Sequence, residues 1–354
     1  MKTIQFPSSG GFRIQGILKS AMCLSLILLF VTQEGICLTG ESRGVKVQNL
    51  KVLFIPYLSN MPLSIADEEG FFKEQGLKIE FVRLARSAEA IPALSQGDID
   101  VLAGTTSFSL YNAIVRGAKI KIVADKGYIA PTGCTELAIM ARKNWAETSK
   151  PVSAVQLKGR RIAINPVSSA AFIAEKALQP FGLTLDDLQI VDLPDPAKLE
   201  AFAANQIDLA YANEPWVTRL SRAGHAVTWK PASQIVPDFQ NAFITYGPSL
   251  LEQNPDTGKR FMIAYRKGVM KYNEGKTDRN LDIIAKHTGL ARELLMQACW
   301  PAFRPSGHIN VQSLLEFQNW GKKKGFLEMT ATEEQFWDPR FIDHANKVLS
   351  GASK

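Results

Sequence analysis

The segment Ser95-Gln96-Gly97-Asp98-Ile99-Asp100-Val101 returns, slightly altered, as Asn205-Gln206-Ile207-Asp208-Leu209-Ala210. In each copy a helical pattern (residues 88–96 and 198–205) stops at a turn and a short apolar run follows (99–103 and 206–210), as where a helix feeds a buried strand. Upstream of the first copy lie a β-rich run at 45–55, a helix at 63–75 closed by Gly76, and a second strand at 77–84, after which Ser87 caps the next helix. Upstream of the second copy the same order recurs: a strand at 159–164, a helix at 170–181 ended by Gly182, and a strand at 188–193. Alternation at this spacing predicts parallel strands with helices on both faces. Two such units predict two similar α/β lobes, each doubly wound.

The size and composition agree. A chain of 354 residues is too long for one ordinary core. Its 46% hydrophobic and 21% charged residues match globular usage and exclude disorder and collagen-like structure. The net charge of +7 is spread along the chain with no Lys/Arg block, which argues against a nucleic-acid partner. Pro, Gly, Ser and Asn gather at 128–135 and 231–241, predicting two crossings between the lobes. The first lobe is then discontinuous, 45–130 with 240–354, and the second is 131–239. Residues 242–246 read as a strand returning to the first lobe. Amphipathic helices expected at 259–273, 281–286, 292–299, 311–324 and 339–349 are assigned mostly to it.

The first 37 residues differ from the rest. Lys2, Arg13 and Lys19 precede an apolar run at 21–31 that is too short to span a bilayer, and a polar stretch ending at Cys37 follows. This is the pattern of an export signal, with an uncleaved membrane anchor as the alternative. Of the four cysteines, only Cys134 and Cys299 lie beyond it. Two buried thiols and one disulfide are both consistent with their spacing.

The ordered series Ala66-Asp67-Glu68-Glu69-Gly70-Phe71-Phe72-Lys73-Glu74-Gln75-Gly76-Leu77, Ala93-Leu94-Ser95-Gln96-Gly97-Asp98-Ile99-Asp100, Leu157-Lys158-Gly159-Arg160-Arg161-Ile162-Ala163, and Ile207-Asp208-Leu209-Ala210 with Glu214-Pro215 resembles a known family. It is similar to the type II periplasmic substrate-binding proteins of ATP-driven (ABC) importers, in the branch for nitrate, sulfonates, taurine and thiamine precursors. That resemblance implies two lobes joined by two crossings, with C-terminal helices and a small ligand held between the lobes. It further implies a periplasmic monomer without cofactor or metal, whose partners are a permease and an ATPase. The ligand class it favours is a small anionic or polar organic molecule, sulfonate-like, with nitrate or a pyrimidine as runners-up.

In open α/β sheets, ligands lie beyond the carboxyl ends of the strands, where helix starts offer unpaired N–H groups. Four loops meet that condition, and they supply the candidate contacts. After the first strand come Tyr57, Ser59 and Asn60; at the next helix start, Thr105, Thr106 and Ser107. In the second lobe the counterparts are Ser168 and Ser169, then Asn213, Glu214 and Trp216. Hydroxyls and backbone donors hold an anion or polar head without a formal charge, although the same residue types also serve as plain helix caps. No further charged residue at these loops is evident to fix the ligand's charge, and Glu214 would repel an anion. A neutral aromatic ligand walled by Tyr57, Phe108 and Trp216 therefore stays open. Arg86 also follows a strand directly, which allows it to face the cleft, with the solvated surface as the expected fate.

Enzymatic patterns are missing. His225, His287, His308 and His344 are isolated, with no metal-type spacing, nucleophile elbow or phosphate loop nearby. A pyrimidine-precursor synthase of the same superfamily would need a cysteine cluster that the sequence lacks. A binding lobe that docks on a membrane sensor is the remaining alternative.

Overall fold

The computed structural model describes residues 47–84, 86–148 and 152–351. The stretch read as an export signal lies outside them. Two five-stranded sheets organise the chain. The first holds β1 (Gln48–Phe54), β2 (Leu77–Arg83), β3 (Val101–Thr105), β4 (Lys121–Gly127) and β10 (Ala242–Tyr246) in the order β2-β1-β3-β10-β4. The second holds β5 (Leu137–Arg142), β6 (Arg161–Ala163), β7 (Gln189–Val191), β8 (Leu209–Asn213) and β9 (Ala226–Pro231) in the order β7-β6-β8-β5-β9.

The repeated sequence segment has a repeated structural job. Asp100 accepts the Lys51 N–H on Oδ2 at 2.8 Å, and its own N–H donates to Lys51 O at 3.0 Å. In the second lobe Asp208 Oδ2 accepts the Arg161 N–H at 3.1 Å, and its N–H donates to Arg161 O at 2.9 Å. Each aspartate pairs the backbone where β1 meets β3, or β6 meets β8, so neither edge group is left unsatisfied.

The sheets are mixed rather than wholly parallel. β1 runs parallel to β2 and β3, and β6 runs parallel to β7 and β8. The exceptions are the strands that arrive from the other lobe. β10 is antiparallel to β3 and β4, and β5 is antiparallel to β8 and β9. A chain entering a sheet from outside its own strand–helix succession is not bound by the crossover rule that makes the others parallel. β4, β5 and β9 were not anticipated, because short apolar runs such as Leu137–Arg142 do not distinguish strand from helix by period. The helix expected at 63–75 is two pieces, Met61–Glu68 and Phe71–Glu74, divided at Gly70 with φ +78°.

The chain leaves the first sheet after Gly127 and joins the second at Leu137; it leaves the second after Pro231 and returns at Ala242. Fully buried Gln240 ties these passages together. Its Nε2 donates to Asp125 Oδ1 at 2.6 Å and to Ala242 O at 2.8 Å, while Oε1 accepts Arg304 Nε and the Asn310 N–H, each at 3.1 Å. A Cys134–Cys299 disulfide joins the first passage to the segment after the helix Arg292–Gln297.

Not all C-terminal helices serve the first lobe. Pro255–Tyr272 packs on Met61–Glu68 and on Arg340–Leu349, but Val311–Lys323 touches helices of both lobes, Phe108–Val115 and Ser169–Leu178. Phe317 stacks on Phe108 with centroids 4.3 Å apart, and Trp320 meets Phe172 at 5.5 Å. This aromatic block cements the lobes on the side of that helix. It also removes Phe108 from the ligand: the ring is buried in the block rather than lining the cleft.

Candidate ligand-binding cleft

Six loops follow parallel strands, and all six converge on one cavity of about 380 Å³ between the sheets. From the first sheet come Tyr57 after β1, Arg86 and Ser87 after β2, and Thr105 and Ser107 around the end of β3. From the second come Asn165, Ser168 and Ser169 after β6, Asp195 and Lys198 after β7, and Asn213 with Trp216 at the end of β8. The right-handed strand–helix succession sends each loop to the carboxyl edge of its sheet, so two sheets facing edge to edge make the pocket.

Of the eleven candidates, Tyr57, Thr105, Ser107, Ser168, Ser169, Asn213 and Trp216 line this cavity. Four do not. Asn60 is buried and donates from Nδ2 to Ile55 O at 2.6 Å, which closes the loop after β1. Ser59 Oγ accepts the buried Lys126 ammonium at 3.0 Å. Thr106 is buried and donates to Gln240 O at 3.1 Å. Glu214 is buried and accepts Thr218 Oγ1 at 2.7 Å, Thr218 N–H at 3.1 Å and Cys299 N–H at 2.9 Å. Burial raises its pKa, and those donors offset only part of the rise. Its oxygens are taken up by these donors, and it is not among the residues lining the cavity. In all four, the polar side chain is spent on a backbone or buried group of the protein.

The helix starts are also used differently than expected. Ser107 and Ser168 form an antiparallel β-bridge, with Phe108 N–H donating to Val167 O at 3.4 Å and Ser169 N–H to Thr106 O at 3.3 Å. Ser169 Oγ donates to Asn241 Oδ1 at 3.0 Å, and Ser168 Oγ accepts the Ala170 N–H at 3.2 Å as a helix cap. Opposed helix starts thus bind each other as much as they face the cavity. Asn213 Oδ1 is buried without a hydrogen-bond partner, an acceptor available beside the cavity.

Charged groups sit at the loops after β2 and β7: Arg86, which the sequence reading assigned to the surface, and Asp192, Asp195 and Lys198, which it passed over. Arg86 is not free on the surface: it makes a two-pronged bond to Asp192 across the lobes, at 3.0 and 2.8 Å. The Tyr57 hydroxyl donates to Asp195 Oδ2 at 2.9 Å, also across the lobes. Burial first, then the Asp195 carboxylate, drive the Tyr57 pKa far up, so the phenol stays protonated and donating. Lys198 is buried and donates to Asp195 Oδ1 at 2.6 Å and Tyr211 O at 2.7 Å. Asp195 and Lys198, three apart at the start of a helix directly after a strand, were visible in the sequence. Arg219 lies 4.3 Å over the Trp216 ring, one turn along the helix Trp216–Arg222. Among the described residues, no helix is long and apolar enough to cross a membrane and no cluster could hold a metal ion.

Two mixed α/β sheets joined by two passages, with a cavity at their facing carboxyl edges and helices at the C-terminus, define the fold of periplasmic binding proteins. The chain belongs to the NMT1/THI5-like family, whose model matches residues 59–274. A binding protein of Brucella abortus is 27% identical over 233 residues, covering 63% of this chain and 66% of that one. The taurine-binding periplasmic protein of Escherichia coli is 25% identical over 185 residues, 52% and 54% of the two chains. The alkanesulfonate-binding protein SsuA of Xanthomonas axonopodis, solved with MOPS, superposes with TM-score 0.64 at 19% identity, covering 82% of this chain and 98% of that one. An enzyme shares the fold as well: the desulfurization enzyme DSZB superposes with TM-score 0.61 at 15% identity, covering 85% and 99%.

Proposed function

We propose that this protein is an exported solute-binding component of an ABC importer that holds a small organic ligand, sulfonate-like, in the interlobe cleft. The observation that carries the reading is the convergence of six strand-end loops from two lobes on one cavity whose size suits a small organic molecule. The relatives named for taurine and alkanesulfonates support the ligand class. Its partners are a permease and an ATPase, and the binding protein itself acts as a monomer. A catalytic role finds less support. Among the described residues no cysteine or histidine lines the cavity, and Cys134 and Cys299 are joined to each other.

Thermal-shift screening with sulfonates, nitrate, pyrimidines and hydrophobic metabolites tests the reading, since a ligand of the native state raises the melting temperature by mass action. The expected result is at least one compound that does so, with one-to-one stoichiometry by calorimetry. A screen in which no class shifts the melting temperature overturns it. Permease and ATPase genes beside this one support import, whereas a neighbouring histidine kinase supports sensing.

A further inference from the structure

The charges around the cavity do not cancel. Asp195 commits both carboxylate oxygens within the protein, Oδ1 to Lys198 and Oδ2 to the Tyr57 hydroxyl. Arg86 is matched by Asp192. Arg219 also lines the cavity, yet among the described residues its guanidinium has no ion pair and no side-chain hydrogen bond. It lies flat over Trp216, 4.3 Å from the ring centroid. Stacking occupies a face of the guanidinium and leaves its N–H edge, a fork that matches the paired oxygens of a carboxylate or sulfonate.

The neighbouring wall is apolar: Leu193, Pro194, Pro215 and Leu290 line the same cavity as Trp216. Its volume of about 380 Å³ equals roughly a dozen waters at about 30 Å³ each. A bare inorganic anion would leave most of that space and most of the apolar wall without contacts. Among the described residues an ammonium group would meet no free carboxylate, because Asp195, which lines the cavity, is paired with Lys198, and Asp192, close by in the same loop, is paired with Arg86.

We infer that Arg219, held on Trp216, selects the charge of the ligand, so that the cleft takes an organic monoanion with a flat apolar body and rejects zwitterions. This rests on the solute-binding reading of the cleft. The polar end of the ligand is met by the N–H edge of Arg219, and the ring lies along Trp216 and Leu290.

Calorimetry with 2-naphthalenesulfonate, its neutral isostere 2-naphthalenesulfonamide, and taurine tests this on the full chain and on Arg219→Gln, Arg219→Lys and Trp216→Leu. In the unaltered protein the naphthalenesulfonate should bind about tenfold or more tighter than either other compound, the worth of one charge-assisted bond. Arg219→Gln should erase the preference for the sulfonate over the sulfonamide, Arg219→Lys should keep part of it, and Trp216→Leu should weaken both ring compounds. Melting temperatures of the variants separate lost binding from lost folding, and Arg219→Lys carries the comparison if Arg219→Gln does not fold. Sulfonamide binding as tightly as sulfonate, taurine binding best, or an unchanged preference in Arg219→Gln each overturn the inference. If none of the three binds but another compound class raises the melting temperature, the charge assignment fails and the solute-binding reading stands. If nothing in either series binds, both fail.

Discussion

The Tyr57 hydroxyl reaches from the first lobe to Asp195 of the second, 2.9 Å away, and Lys198 holds the same carboxylate from behind at 2.6 Å. One phenol therefore does two things. It fastens the lobes at the cavity wall, and it masks a negative charge on the cavity lining. Arg86 and Asp192 make the companion fastening. Their side chains are 37% and 42% exposed, so solvent screening keeps that pair weak. The combined change Tyr57→Phe with Arg86→Ala should loosen the cavity side and enlarge the radius of gyration in small-angle scattering. An unchanged radius would show that the aromatic block around Phe317 alone sets the lobe spacing.

Thr106 and Ser107 are neighbours with different fates, one buried against Gln240 O and one on the cavity wall. Thr106→Ala should lower stability by about 0.5–1.5 kcal/mol and leave ligand affinity nearly unchanged. Ser107→Ala should weaken a bound ligand several-fold with little change in melting temperature. Melting curves and calorimetry on the two single variants distinguish the roles, and the reverse pattern would refute them.

Gln240 carries more than its own size suggests, because it joins Asp125, Ala242, Arg304 and Asn310. Gln240→Leu strips those partners inside a closed core. Denaturant unfolding should show a loss of about 1–3 kcal/mol or more, and a variant as stable as the parent would show that water or rearrangement replaces the network.

Lys126 is buried, with its ammonium on Ser59 Oγ, and burial pushes its pKa down to about 7, opposed by the Asp125 and Glu136 carboxylates. In the unfolded chain the same amine titrates near 10.5. Between these values the unfolded state binds the extra proton, so this group makes stability rise with pH, by at most about 1.4 kcal/mol per unit. The destabilisation is fully present below pH 7 and gone above the unfolded value. Lys126→Met should remove that part of the slope between pH 7 and 10, measured by urea unfolding at several pH values. An identical slope in the variant would mean that Lys126 stays charged in the fold.

The Cys134–Cys299 disulfide closes a loop with a sequence separation of 165. Loop-closure entropy sets a ceiling of about 5 kcal/mol on its contribution. Cys134→Ser with Cys299→Ser should lower the denaturant midpoint measurably, and an unchanged midpoint would show that Gln240 and the aromatic block suffice to hold the passages.

Local pattern was enough to place the parallel strand–helix succession of each lobe and the repeated Asp100 and Asp208 turns, though not β4, β5 or β9, because helix ends, glycine stops and short apolar runs depend on residues close in sequence. It was enough, too, to find four of the six loops at the carboxyl ends of the parallel strands, which follow from strand direction. What those loops do was another matter. Whether a hydroxyl such as Thr106 or Ser107 faces ligand or core depends on the partner that arrives from elsewhere, and Gln240 is 134 positions from Thr106. The same holds for charge. Asp195, Lys198, Arg86 and Arg219 were all in plain view in the sequence, but which of them are neutralised was decided by contacts up to 138 residues apart. Phe108 makes the point from the apolar side. An aromatic residue beside a candidate loop fits a ligand wall or a core equally well, and only the packing of Val311–Lys323 against both lobes put it in the core. Secondary structure is set by neighbours in the chain, whereas the charge and shape of a cleft are sums over residues brought together by folding.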